Sequence, residues 1–69
     1  MKYLVIELQK TGTTMSNLTY AYGDRNQAEA KYHEILAAAA VSNVDVHAAV
    51  LLDEEGNYYE GKCYKHNEE

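Results

Sequence analysis

Only one stretch of this chain has helical periodicity, and it stands between two pairs of strand-like segments. Any sheet those segments build therefore has one face that the helix can cover and one that it cannot. The helical stretch opens at Asp24, a good N-cap, with Gln27 three residues on as the other half of a capping box, so a helix is predicted from Arg25. Ala28, Tyr32, Ile35, Leu36 and Ala39 form its apolar stripe, and Asn26, Glu29, His33 and Glu34 lie opposite. The alanines from 37 to 40 favour helix and add little bulk, which lets the last turns lie close to a sheet. Ser42-Asn43 reads as the stop, with Asn43 able to turn left-handed.

Lys2 to Gln9 alternates with period two, placing Leu4, Ile6 and Leu8 on one face and Tyr3, Val5 and Glu7 on the other. Residues 10–16, rich in Thr and Gly, are predicted to loop round into a second strand, Asn17 to Tyr22. Val44 to Leu52 alternates again, with Val46, Ala48, Val50 and Leu52 opposed to Asp45, His47, Ala49 and Leu51. Asp53 to Asn57 reads as a hairpin turn in which Gly56 takes positive φ, leading into a fourth strand from about Tyr58 to Lys65. The prediction is one α+β domain over residues 1–66, ββαββ, with residues 67–69 a frayed tail. Its antiparallel sheet has the order 2-1-3-4, because the two most apolar strands belong in the middle.

The heavier aliphatic set, Leu4, Ile6, Leu8, Val46, Ala48, Val50 and Leu52, is assigned to the helix-covered face. The other face then carries Tyr3, Val5, Ala49 and Leu51, joined by Tyr58 and Tyr64. All seven aromatic residues are tyrosines, which pair an apolar body with a hydroxyl that can stay hydrated, as an intermittently exposed interface requires. A 69-residue chain buries only about 60% of the surface its unfolded form exposes, so a second subunit would add burial that one core cannot supply. These six residues are the expected homodimer or higher homo-oligomer interface.

Catalytic and metal readings are weak. Cys63 and His66 have a C-x-x-H look, but residues three apart on a strand point to opposite faces, and Cys63 reads better as a small core residue facing the helix. Asp45 and His47 share a strand face without an identifiable nucleophile, since Ser16 and Ser42 both fall in loop-like segments. The acids Asp53, Glu54 and Glu55 lack the alternating ligands of a calcium loop, and His33 reads as a surface residue. There is no phosphate-binding glycine motif. Tyrosines can stack bases, yet eleven acids against six basic residues, a formal charge of −5, oppose a phosphate backbone. No cofactor is expected, nucleic acid is disfavoured as a partner, and the expected protein is not an enzyme.

Cys63 is the only cysteine, and the apolar run after Met1-Lys2 is interrupted by Glu7. A cytoplasmic protein without a membrane span is expected. The stretches MKYLVIELQ, YGDRNQAEAKYHEILAAAAVS and HAAVLLDEEGNYYEGKCYKH resemble a family of short uncharacterised proteins from gut Firmicutes and their prophages. That resemblance spans nearly the whole chain and implies a bacterial or phage setting, with no functional residues to carry over. The expected role is a non-enzymatic, homo-oligomeric phage or prophage accessory protein that binds protein through its uncovered sheet face. The alternative is a counter-defence inhibitor that binds a host immune protein or sequesters a small signalling molecule, in a cleft lined by tyrosine and Arg25 or through an acidic face.

Overall fold

A computed structural model describes residues 1–66; the tail expected to fray, residues 67–69, lies outside the described residues. The order of elements is β1 (Tyr3–Thr11), β2 (Thr14–Tyr22), α1 (Arg25–Ala40), β3 (Val46–Asp53) and β4 (Tyr58–Lys65). The four strands form one antiparallel sheet in the order β2-β1-β3-β4, and α1 carries the chain from β2 across β1 to β3. This is the predicted α+β architecture. Among the described residues, no helix is long and apolar enough to cross a membrane.

Local differences from the prediction have local causes. The first hairpin is tight: Thr11 pairs with Thr14, and residues 10–16 are strand except for Gly12 and Thr13. Gly12 has φ +63°, the positive value a two-residue hairpin needs at its first loop position. The helix starts where predicted, but the Asp24 side chain makes no capping hydrogen bond; its carbonyl accepts from the Ala28 N–H at 3.1 Å. Asn43 is not left-handed, since only Gly12 and Gly56 among the described residues have positive φ. The helix closes through Val41 N–H on the Ala38 carbonyl and Ser42 N–H on that of Ala39. His66 Nε2 also donates to the Ala39 carbonyl (2.8 Å), a favourable place for a donor because the last helical carbonyls have no partner within the helix. In the second hairpin Gly56 takes φ +85°, as expected.

The main correction concerns which face the helix covers. For the two central strands the residues sharing each face were predicted correctly, but the covered face is the other one, and Tyr58 is on the opposite face from the set it was grouped with. Val5, Ala49 and Leu51 are fully buried and pack with Ala28, Tyr32 and Ile35 of α1. Tyr3, Tyr20, Tyr22, Leu36 and Tyr59 close round this core. Of the six expected interface residues, Val5, Ala49 and Leu51 are therefore core, and Tyr3 packs against it. Tyr64 pairs with buried His47, so it too is on the helix side. Tyr58, which pairs with Leu52, is the one of the six on the uncovered face, and it is exposed.

Size complementarity accounts for the choice. The helix presents small Ala28 and Ala39 to the sheet, and Ala49 meets it without bulk, so the axis can approach closely. Tyrosines fill the flanks: Lys31 Nζ lies 4.4 Å from the centroid of the Tyr20 ring, and Arg25 Cζ lies 4.3 Å from that of Tyr59. Each ring thus keeps its body in the core and a helix cation over its face. Between Leu51 and Leu52 the β4 register shifts, leaving Tyr59 as the extra residue of a bulge. That bulge lets Tyr59 pack on the helix side while Tyr58 stays on the far side.

Candidate functional site

The uncovered face is built by the even-numbered positions of the two central strands. Leu4, Ile6, Leu8 and Lys10 of β1 stand opposite Leu52, Val50, Ala48 and Val46 of β3. From β2 come Ala21, Thr19, Asn17 and Met15, and from β4 Tyr58, Gly61, Cys63 and Lys65. Leu4, Ile6, Leu8, Val46, Val50 and Leu52 are half-buried by their own neighbours alone, and Met15 and Tyr58 are exposed. Gly61 leaves a hollow beside Val50 that Tyr58 fills: a Cβ there would meet the Tyr58 hydroxyl at 2.8 Å. Cys63 is exposed and pairs with Ala48, so it faces away from the helix and is not the core residue expected.

Four strands at ~4.8 Å spacing and eight residues at ~3.4 Å rise make a face of roughly 500 Å² in projection. With side-chain relief this is the order of the ~800 Å² that each partner gives to a standard interface. The apolar part of that face, the aliphatic rows of the two central strands with Tyr58, is smaller and is bordered on β2 by Thr19 and Asn17; patches of this order on small domains are often functional. Charge is confined to the ends. Lys10 and Lys65 flank Val46 at one end of the strands, and beyond the other exposed Lys2 lies beside exposed Glu54, whose carboxylate accepts from the Lys2 backbone N–H.

The polar chemistry lies on the helix side and is internally satisfied. His47 is buried; Nε2 donates to Glu7 Oε2 at 2.7 Å and Nδ1 meets Ser42 Oγ at 3.1 Å, with Gln9 also donating to Glu7. Asp45, grouped with His47 on one strand face in the sequence, precedes β3 and has its carboxylate at the first hairpin's tip, where it accepts from Gly12 N–H at 2.7 Å. A serine, histidine and glutamate in sequence have the composition of a nucleophilic relay. Acyl transfer would also need amide donors aimed at a developing oxyanion. Ser42 instead sits past the C-terminus of α1, where carbonyls converge, and its own N–H is taken by Ala39. The arrangement ties β1, β3 and the end of α1 together.

Asp53 forms the second buried polar centre, which sequence reasoning placed at a solvated hairpin tip. Oδ1 accepts from the N–H groups of Glu55 and Asn57, and Oδ2 accepts from the Asn57 side-chain amide and the Tyr59 hydroxyl (2.8 Å). Burial alone would raise its pKa; hydrogen bonds from Asn57, Tyr59 and Glu55 outweigh this and hold it at about 2 against an ordinary 3.8. The same bond to Asp53, aided by burial, raises the pKa of Tyr59. Asp53-x-x-x-Asn57 with a following tyrosine is the sequence signal that could have revealed this centre.

Comparison with known proteins adds no family to this description: no protein-family model, no curated protein and no solved structure matches the chain.

Proposed function

We propose that this chain is a non-enzymatic phage or prophage accessory protein that acts by binding, and that it self-associates through the uncovered sheet face. The supporting observation is the continuous set Leu4, Ile6, Leu8, Val46, Val50 and Leu52, which no element among the described residues covers. A second copy fits this face because the apolar rows lie in its middle and charge stands only at the ends, Lys10 and Lys65 at one and Lys2 beside Glu54 at the other. The cleft required by an inhibitor reading, lined by tyrosine and Arg25 at the sheet contact, is not formed this way, because Arg25 and Tyr59 lie on the helix side.

Cys63 reports on the contact directly. Its reaction rate with a thiol reagent is expected to fall at least several-fold as protein concentration rises from low to high micromolar, since the thiol lies on the face that becomes covered. A rate that stays constant across that range contradicts the proposal.

A further inference from the structure

The helix side carries a second, separate cluster of donor atoms. Glu29 and His33 stand one turn apart on α1, the i, i+4 spacing that puts both side chains on one helical face. Glu60 reaches the same place from β4, just after the bulge residue Tyr59. One donor atom from each of the three lies within 4.8 Å of the others. Glu29 Oε1 and His33 Nε2 are 3.9 Å apart, too long for a hydrogen bond. That separation is near the edge of a coordination sphere, since bonds of ~2.0–2.1 Å put tetrahedral ligands roughly 3.4 Å apart. All three side chains are at least partly exposed, so the contraction needs only small rotations and leaves an approach from solvent.

We propose that Glu29, His33 and Glu60 bind a divalent transition-metal ion of the zinc and cobalt class, bridging α1 to β4. One imidazole and two carboxylates suit such an ion better than calcium or magnesium, whose sites are built from oxygen alone. Arg25 supports the arrangement: its Nε holds Glu29 Oε2 at 3.1 Å, and that leaves Oε1 turned to His33, as an outer partner orients a ligating carboxylate. The site is independent of self-association because it lies on the opposite face of the sheet.

The test is a titration of the full chain with Co²⁺, followed by visible absorption, and with Zn²⁺ by calorimetry. One ion per chain is expected. H33A and E60Q, each checked for folding by circular dichroism, are expected to weaken binding at least tenfold, whereas C63S leaves it unchanged. Absence of binding, or an affinity unaltered in H33A or in E60Q, overturns the assignment.

Discussion

Leu51→Ala is expected to destabilise the domain by about 2–5 kcal/mol, whereas Leu52→Ala, one residue away, costs about 1 kcal/mol in the dilute monomer. Leu51 is fully buried under α1, against Val5, Tyr32 and Ile35, so truncation leaves a cavity that the alanine-rich helix cannot fill. Leu52 is half-buried on the uncovered face, where only neighbouring strands touch it. A domain this small has about 3–5 kcal/mol from its core, so L51A should be largely unfolded at room temperature. Urea denaturation of both variants at low-micromolar concentration measures the difference. If L52A were the costlier substitution, the helix would cover the other face.

Asp53→Asn is expected to lower the melting temperature by roughly 5–10 °C, a large shift for a domain of this size. With its oxygen kept on the N–H groups of Glu55 and Asn57, the asparagine would turn its own amide donor toward the Asn57 side-chain amide and the Tyr59 hydroxyl, which both donate to Oδ2 in the native chain. The pH dependence carries the same signature. Because folding lowers the Asp53 pKa from 3.8 to about 2, its contribution is complete above about pH 4 and disappears as pH falls toward 2. Thermal melts between pH 5 and 2 should show a steep loss of stability over that window in the native chain and a shallower one in D53N. Superimposable profiles would remove Asp53 from the account.

The topology was legible because each element announces itself locally. Ala28, Tyr32, Ile35 and Ala39 keep helical spacing and are the buried residues of α1, and the two alternating segments became the central strands. Period two fixes which side chains share a face but not which face is covered, and in β1 and β3 both sets are apolar. Bulk favoured the Leu, Ile and Val set; close packing favoured the set with Ala49, flanked by tyrosines that fit beside a slim helix. Glu7 and His47 also lie on the covered face, and Asp53 reads in the sequence as a solvated hairpin residue. Their partners come from the end of α1, from β4 and from the turn after β3, so tertiary structure had to bring them together. The Glu29, His33 and Glu60 cluster was illegible for a similar reason: the i, i+4 pair is visible in the sequence, but the strand residue that meets it is not.

The central claim, that the uncovered aliphatic face is a contact between two copies of this chain, is tested most directly by sedimentation equilibrium of the native chain beside Ile6→Lys. Ile6 stands opposite Val50 in the middle of that face and is not part of the helix-packed core, so the lysine should leave the monomer folded. The account predicts a concentration-dependent dimer for the native chain and a monomer for I6K at the same high-micromolar concentration. A native chain that sediments as a monomer throughout, or an I6K variant that dimerises as well as the native chain, would contradict it.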